Sequence, residues 1–330
     1  MTTRMRLVLR ALLLAALVGP LLLGAAARSH AQDDAPSTPP NGAIESMELI
    51  HATDNSEYYR LTYWSDGLRI KAFIGWPKGN TRYPAIIYNH GGVWDGGRLV
   101  GREIVPLVES GYVAVASQYR GVGGSEGAEQ FGWGEVNDVL ALIPLLQAMP
   151  NVDPARIGMM GGSRGGMVTY MALKWEGTNW RDDIRAAVTI GGVADLFAWA
   201  KERPDVVNTI YLPLIGKTPN EAWDWYEMRS AVYWPSLIKT PLLILHGEAD
   251  DQVSVDQSIK LYKAILAAGG DVTLTTVPGG DHGLTGESGG YGLALTYFNA
   301  IIGRDGMDHD FYRHIDQIGP VLEWFAQNPQ

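Results

Sequence analysis

The sequence predicts an α/β fold with a mostly parallel central sheet, helices on both faces of that sheet, and antiparallel strands at its amino-terminal end. Short, almost wholly apolar runs recur along the chain, which is typical of strands that are covered on both faces. Helical stretches separate these runs, and strand followed by helix, repeated, indicates parallel strands joined by right-handed crossovers. The apolar runs begin at Pro84, Tyr112, Arg156, Arg185 and Pro241.

The predicted helices between these runs cover residues 99–110, 135–149 and 166–175. A further strand is expected in DVTLTTV, and a closing helix in IDQIGPVLEWFAQ. Upstream of Pro84, the segments SMELIHA, EYYRLTYW and LRIKAFIGW alternate polar and apolar residues, as half-buried strands do. Ser65-Asp66-Gly67 lies between the last two and predicts a hairpin turn. Folded structure is therefore expected to begin near Ile44.

Two segments break the strand–helix rhythm, and both are interpreted as insertions in a domain that covers residues 44–330. The first lies near residues 195–235 and is rich in Trp, Pro and Tyr. It is expected to lie over the carboxyl ends of the strands, where α/β sheets bind ligands. The second lies near residues 284–313 and precedes the closing helix.

Residues 1–31 have the pattern of a secretory signal peptide. Arg4, Arg6 and Arg10 precede an apolar stretch over residues 11–27, and Ser29 and Ala31 fit the small-x-small cleavage pattern. The alternative is an uncleaved anchor, but Gly19-Pro20 interrupts a run that is already short for a membrane span. We expect cleavage after Ala31, a polar linker over residues 32–43, a secreted or periplasmic protein, and no stable membrane span after cleavage.

Composition narrows the function classes. The chain has 330 residues with a net charge of −10 and no basic cluster beyond its first residues, which argues against nucleic acid as a partner. It has no cysteine, which excludes disulfides, thiolate metal sites and cysteine nucleophiles. No HExxH motif or similar spacing of His and carboxylates appears, so neither a metal nor a cofactor is expected.

The pattern Gly-x-Ser-x-Gly, the spacing of a nucleophile turn, occurs around Ser125, Ser163 and Ser288. A nucleophile turn needs a strand that ends abruptly, small neighbours and a helix that begins at once. Ser163 follows the apolar run RIGMM, before which Asp153-Pro154 is expected to form a turn, and it precedes GGMVTYMALKW. Ser125 and Ser288 lie in glycine loops without that context. Ser163 is therefore the predicted nucleophile.

A serine nucleophile needs a base and an orienting acid, which follow it in the order acid, then His, in this kind of fold. His282 lies in a glycine loop after a predicted strand, whereas His246 ends a buried strand and His309 and His314 flank a polar insertion. Asp250 and Asp251 both follow the strand PLLIL and can supply the acid. Asp195 and Asp256 are better interpreted as helix caps.

The backbone N–H of Arg164 is expected to be one oxyanion donor, because it follows the serine at a helix start. Gly92 and Val93, in the loop HGGVWDGG, are expected to supply the other. His90 precedes the serine and is interpreted as bracing that loop. The side chain of Arg164 is expected to pair with Glu248 or Asp251, or to contact an anionic substrate.

With these residues assembled, the chain resembles the catalytic domain of the prolyl oligopeptidase (peptidase S9) group of α/β-hydrolases. The resemblance runs from about residue 57 to residue 283 and includes NVDPARIGMMGGSRGGMVTYMAL and LLILHGEADDQVSVDQS. It implies an α/β-hydrolase fold with Ser163, Asp250 and His282 as a triad, since the first Asp of the matching HGxxD segment is the acid in that group. Larger members carry an amino-terminal β-propeller, and the short linker over residues 32–43 leads us to expect none here. Arg164 departs from the group, which usually has an aromatic residue or His there.

The sequence therefore predicts a secreted serine hydrolase that cleaves peptide or ester bonds through an acyl-enzyme. Two alternatives stay open: a carboxylesterase acting on small or polymeric esters, and a catalytically silent binding module on the same fold. Apolar substrate contacts are expected from aromatic residues of the oxyanion loop and the first insertion, although packing within the insertion would also explain them. The candidate substrate-binding residues are Trp94, Arg164, Trp199, Trp223 and Tyr226.

Overall fold

A nine-stranded sheet forms the centre of the computed structural model, which describes residues 38–284, 289–303 and 315–328. The strand order is β1-β2-β3-β5-β4-β6-β7-β8-β9. The first three strands and their contact with β5 are antiparallel, and all other neighbours are parallel. The strands are β1 (Ile44–Ala52), β2 (Ser56–Ser65), β3 (Leu68–Pro77), β4 (Tyr83–Asn89), β5 (Val113–Ser117), β6 (Val152–Gly162), β7 (Ile184–Ile190), β8 (Leu242–Gly247) and β9 (Val272–Val277).

Helices follow the parallel strands, as predicted. They are α1 (Val105–Glu109), α2 (Gly134–Leu140), α3 (Leu142–Ala148), α4 (Arg164–Thr178), α5 (Leu196–Glu202), α6 (Leu212–Ile215), α7 (Trp223–Glu227), α8 (Val255–Ala267), α9 (Gly290–Ile301) and α10 (Ile315–Gln327). The mostly parallel sheet with antiparallel amino-terminal strands confirms the predicted fold class. The signal peptide predicted over residues 1–31 lies outside the described residues.

The sheet separates two apolar cores. One contains residues of α2, α3, α4 and α8, and the other contains residues of α1, α9 and α10. Consecutive strand residues point to opposite cores: Met159 packs into the first and Met160 into the second, and both are buried. This arrangement explains why the central parallel strands contain almost wholly apolar runs on both faces.

The turn between β2 and β3 is the predicted two-residue hairpin. Ser65 pairs with Leu68, and Asp66 and Gly67 both have positive φ, at 50° and 77°. Positive φ at both central positions matches the twist of the flanking strands.

Three predicted boundaries are wrong. The helix expected over residues 99–110 begins only at Val105, after a 3-10 turn, because Gly101 has φ 95° and cannot be helical. The helix expected over residues 135–149 is two helices, since Pro144 lacks the N–H that would continue the first. Asp153-Pro154 lies within β6 rather than in a turn before it, in an irregular stretch of the β4–β6 register where a strand tolerates proline.

The first insertion is folded. Between β7 and β8 the chain forms α5, a π-helical turn over Val207–Tyr211, α6 and α7. Aromatic side chains hold it together: Tyr211 contacts Trp199 and Tyr226 with ring centroids 6.0 and 4.9 Å apart. The second insertion contains α9, and its other residues fall largely outside the described part of the chain.

Candidate active site

Ser163 lies at the point where β6 ends and α4 begins. Its backbone has φ 54° and ψ −122°, a sparsely populated conformation that costs about 1–3 kcal/mol for a residue with a side chain. Its N–H donates to the carbonyl of Ile190 at 2.9 Å, and its own carbonyl accepts from Gly166 at 3.0 Å. These bonds to the next strand and to the helix hold the serine in its turn.

Close backbone approach explains the glycines on either side of Ser163. A Cβ atom on Gly161 would lie 2.2 Å from the carbonyl oxygen of Gly165, and one on Gly165 would lie 2.0 Å from that of Asn89. Real Cβ atoms do not approach backbone oxygens so closely, so the turn closes only with glycine at both positions. The Gly-x-Ser-x-Gly spacing around Ser163 therefore has a steric cause.

Asp250 and His282 form a hydrogen-bonded pair. Nδ1 of His282 lies 2.7 Å from Oδ2 of Asp250, and the Asp250 side chain has no exposed surface. Oδ1 accepts from the N–H groups of Gln252 and Val253 at 2.8 and 2.9 Å. Asp250 follows β8 and His282 follows β9, so the order of the parallel strands brings the two loops together.

A second histidine contacts the same carboxylate. Nε2 of His246 lies 3.1 Å from Oδ2 of Asp250 and 2.8 Å from the carbonyl of Val253, and its Nδ1 lies 2.6 Å from the hydroxyl of Ser258. This contact is not among those expected from the sequence, where His246 is a buried strand end and not a candidate base. The signal was available, because His246 stands four residues before Asp250 at the end of the same buried strand.

Asp250 is held in its charged form. Burial alone would raise the pKa of its carboxyl group, but hydrogen bonds from His246, His282 and the two backbone N–H groups outweigh burial and lower the pKa well below its usual range. An ionised carboxylate at this position can orient an imidazole and stabilise the imidazolium that forms when the ring takes a proton.

Ser163 and His282 line the same cavity of about 170 Å³. Its walls are mostly apolar or aromatic and come from the ends of β4, β6 and β7 and from the start of α9. The other lining residues are Tyr88, Gly91, Met160, Gly162, Ile190, Gly283 and Tyr291. A serine hydroxyl, an imidazole and a small cavity thus meet at one edge of the sheet.

The loop after β4 lies against Ser163. A Cβ atom on Gly91 would be 3.1 Å from the Cβ of Ser163. The carbonyl of Gly91 lies 2.9 Å from Nδ1 of His90, and that of Gly92 accepts from Nη1 of Arg164 at 2.9 Å. In a trans peptide the N–H points opposite to the carbonyl, so these contacts fix the directions of the Gly92 and Val93 N–H groups. The bracing role expected of His90 fits this geometry.

The side chain of Arg164 has other partners than expected. It does not pair with Glu248 or Asp251; its guanidinium bonds to Glu129 through Nη1 and to Glu135 through Nη2, the latter at 2.8 Å. Only 2% of the residue is exposed, so the guanidinium cannot meet an anionic substrate. Both carboxylates belong to the loop that precedes α2 or to its first turn, and no local pattern in the sequence links them to Arg164.

The aromatic candidates divide into two groups. Trp199 and Tyr226 are buried in the core of the insertion, so their expected role as substrate-binding surface is wrong. Trp94 and Trp223 are about half exposed, at 45% and 52%, and their role in binding stays a prediction. The N–H of Trp94 donates to Glu129 at 2.8 Å.

The other candidates that the structure describes occupy structural positions. Ser125 lies in a glycine loop, where its hydroxyl accepts from the N–H of Lys71 at 2.9 Å, and Ser288 lies outside the described residues, as do His309 and His314. Asp195 caps α5 as predicted. Asp256 does not cap α8: Ser254 does, and it accepts from the Asp256 N–H.

Within residues 38–284, 289–303 and 315–328, no group of three or more His, Cys, Asp or Glu side chains is placed to hold a metal ion. Over the same ranges, none of the helices has the length and apolar character needed to cross a bilayer.

Comparison with known proteins places this site in a family. The sequence model of the Peptidase S9, prolyl oligopeptidase family matches residues 100–297. The uncharacterized peptidase YtmA of Bacillus subtilis (strain 168) is 31% identical over 223 residues, which cover 67% of this chain and 84% of YtmA.

Two solved structures are also similar. A puromycin-hydrolyzing peptidase of Mycobacterium tuberculosis matches with a TM-score of 0.62 and 25% identity, over 72% of this chain but only 38% of that one. An acetyl xylan esterase from Paenibacillus sp. R4 matches with a TM-score of 0.62 at 16% identity, over 78% of this chain and 88% of the esterase. At that identity the esterase shares the fold alone. The chain therefore belongs to the prolyl oligopeptidase family (peptidase S9) of serine hydrolases, on an α/β-hydrolase fold.

Proposed function

We propose that this protein is a secreted serine peptidase that works through an acyl-enzyme, with Ser163 as nucleophile, His282 as base and Asp250 as the orienting acid. The observation that carries the proposal is the meeting of a strained Ser163 with the His282–Asp250 pair in one cavity. His282 takes the serine proton as Ser163 attacks the carbonyl, and returns it to the leaving group. Water then releases the acid by the same route.

The oxyanion of the tetrahedral intermediate needs preorganised donors. We propose the backbone N–H of Arg164, at the first position of α4, together with that of Gly92 or Val93. The first N–H groups of a helix have no intrahelical partner and carry partial positive charge. The contacts from His90 and the Arg164 side chain to the carbonyls of Gly91 and Gly92 support this assignment, because they hold the loop peptides in place.

An esterase is the second candidate, and the size of the cavity favours it. At about 170 Å³ the cavity is smaller than the roughly 300 Å³ at which pockets for larger organic ligands begin. It suits one small side chain or a short acyl group. Short acyl esters, and peptides with a small residue at the scissile bond, are therefore the proposed substrate classes.

Labelling with a fluorophosphonate tests the nucleophile. We expect the wild-type protein to be labelled, Ser163→Ala to lose the label, and Ser125→Ala to keep it, since Ser125 shares the sequence pattern but not the geometry. Labelling that persists in Ser163→Ala would contradict the assignment. A wild-type protein that never labels would favour a catalytically silent binding module.

A substrate panel then separates the two bond types. The panel contains p-nitrophenyl esters of increasing acyl length beside Ala- and Pro-p-nitroanilides. Turnover of the anilides supports the peptidase, whereas turnover of short esters alone supports the esterase. Export is tested separately by amino-terminal sequencing of the protein after expression: Gln32 as first residue supports the signal peptide, and an intact Met1 contradicts it.

A further inference from the structure

A second cavity, of about 370 Å³, lies between the loop that precedes α2 and the helices of the first insertion. It shares no lining residue with the cavity of Ser163 and His282. Its volume falls in the range of roughly 300–1,000 Å³ that holds small organic ligands. It is lined by Gln130, Trp133, Leu214, Ile215, Trp225, Met228 and Arg229.

Arg229 is the charged residue of this cavity, and it is 95% buried, with 5% of its surface exposed. It donates through Nε to the carbonyl of Phe131 at 3.0 Å, through Nη1 to that of Trp225 at 2.7 Å, and through Nη2 to that of Gln130 at 3.4 Å. A guanidinium has five N–H groups, two on each terminal nitrogen. These bonds therefore leave one N–H on each terminal nitrogen for another acceptor.

Among the residues that the structure describes, no carboxylate pairs with Arg229, whereas the other two buried arginines have such partners. Arg164 pairs with Glu129 and Glu135, and Arg120 pairs with Asp66 and Asp138. The pKa values follow this difference. Burial lowers the pKa of Arg229, but bonds to the two aspartates raise that of Arg120 in spite of burial. Glu135 is close enough to raise the pKa of Arg229 but forms its ion pair with Arg164. A buried cation without a directly paired anion is costly, and a ligand can supply that anion.

Aromatic rings surround this cation. Trp133 and Trp225 are exposed by 52% and 41%, and both line the cavity. The guanidinium of Arg229 lies over the ring of Trp133 at 5.4 Å, and Nζ of Lys217 lies over that of Trp225 at 4.8 Å. The cavity thus combines apolar ring surface with the positive charge of Arg229, and Gln130 adds a polar group.

We propose that this cavity is a binding site for an organic carboxylate, with the carboxylate on Arg229 and the apolar body of the ligand against Trp133 and Trp225. The planar guanidinium presents paired N–H groups that suit the two oxygens of a carboxylate. This site goes beyond the proposed hydrolysis at Ser163. The carboxylate can belong to a free acid or to the far end of a substrate.

Calorimetric titration with phenylacetate and with phenylacetamide tests the proposal. The two probes have the same shape and differ in charge. We expect phenylacetate to bind saturably and the amide to bind at least tenfold more weakly, because charge-assisted bonds account for the difference. The absence of saturable phenylacetate binding, or equal binding of acid and amide, would overturn the proposal.

Variants locate the binding. Arg229→Lys keeps the positive charge but loses the paired N–H groups of the guanidinium. We expect it to weaken phenylacetate binding at least tenfold. Trp225→Ala keeps the backbone carbonyl that Arg229 uses, so it tests the site even if Arg229→Lys fails to fold; we expect about tenfold weaker binding. Trp223→Ala is the matched control, since Trp223 is also exposed on α7 but does not line the cavity. Equal loss in Trp223→Ala and Trp225→Ala would place binding elsewhere and refute the site.

Kinetics distinguish the two sources of the carboxylate. The substrates are the p-nitrophenyl monoester of succinate, which carries a carboxylate, and p-nitrophenyl butyrate, which is neutral. If substrates supply the carboxylate, Trp225→Ala raises KM for the succinate ester only. If a free acid is the ligand, KM for both esters stays at the wild-type value while phenylacetate binding is weakened. Both results support the carboxylate site. If phenylacetate fails to bind in the titration, the proposal of hydrolysis at Ser163 is unaffected.

Discussion

At the scale of single residues, the carboxylate of Asp250 is held by two histidines. Nε2 of His246 faces two acceptors, the Asp250 carboxylate and the Val253 carbonyl, so in a neutral ring the proton belongs on Nε2. Nδ1 then accepts from the hydroxyl of Ser258. His246 is fully buried and does not reach the cavity of Ser163. It therefore acts through Asp250, as a positioning residue for the acid that orients His282.

Replacing His246 tests this role. We expect His246→Phe to lower kcat about tenfold with little change in KM, because the carboxylate loses one charge-assisted donor and with it part of its fixed orientation. His246→Gln can place an amide N–H near the position of Nε2, and we expect it to restore part of kcat. Steady-state kinetics on one ester substrate measures both variants. Wild-type kcat in His246→Phe, or no difference between the two variants, would show that His246 only fills space.

The proposed triad residues and Arg164 show which contacts of the site can be predicted from the sequence and which cannot. Ser163 and His282 are each marked by local context, a strand end followed by a loop or turn. Local context left both Asp250 and Asp251 open, and the family resemblance selected Asp250. The partners of Arg164 could not be predicted, because Glu129 and Glu135 meet it only through the path of a loop between β5 and α2. The burial of Trp199 and Tyr226 could not be predicted either, because a segment rich in aromatic residues can form a core or a binding surface.

At the scale of elements, the parallel strands were predictable because burial on both faces leaves an unbroken apolar run. The boundaries of the helices were harder to predict from the sequence. The start of α1 depends on Gly101, where a Cβ atom would lie 2.6 Å from the ring of Phe325, a residue more than two hundred positions later in the chain. The cap of α8 was placed at Asp256 rather than Ser254 because either residue can cap a helix, and the structure of the preceding loop decides between them.

The turn at Ser163 makes a prediction at this scale, with a matched pair of variants. Gly161→Ala places a methyl group 2.2 Å from the carbonyl oxygen of Gly165, whereas Gly162→Ala meets only the carbonyl oxygen of Ile190, at 3.7 Å. We expect Gly161→Ala to lower the free energy of unfolding by about 3 kcal/mol or more, because backbone must move to make room. We expect Gly162→Ala to change it by less than about 1 kcal/mol.

Urea denaturation of the two variants, followed by tryptophan fluorescence, measures the difference. Loss of fluorophosphonate labelling should accompany the loss of stability in Gly161→Ala, since both depend on the turn. Equal stability of the two variants would mean that the turn is less closely packed than the structure indicates.

At the scale of the whole molecule, the proposed catalytic residues all lie at one edge of the sheet. The carboxyl ends of β4, β6, β8 and β9 carry the proposed oxyanion loop, nucleophile, acid and base, and the order of parallel strands brings them together. Two apolar cores hold that sheet rigid from opposite faces. Buried polar groups near the edge are therefore tied to the stability of the whole fold, and His90 is the clearest case.

His90 makes the last prediction, which concerns stability in acid. Burial, reinforced by the positive charge of Arg164, lowers the pKa of His90 from its ordinary value of 6.5 to about 4. Between these two values the unfolded chain binds a proton at His90 and the folded protein does not, so unfolding becomes more favourable as the pH falls. At about 1.4 kcal/mol per pKa unit, His90 alone lowers the free energy of unfolding by about 3 kcal/mol between pH 6.5 and pH 4.

Urea denaturation at a series of pH values between 7 and 4 tests this, with wild type compared to His90→Asn. The asparagine amide can retain a bond to the carbonyl of Gly91 but does not titrate. Other groups, Asp250 among them, also destabilise the folded protein as they take up protons in acid, and they are common to both proteins. The quantity to compare is therefore the change in unfolding free energy with pH, which we expect to be smaller in His90→Asn by about 3 kcal/mol over this range. Parallel curves for the two proteins would show that His90 is not buried as a neutral ring.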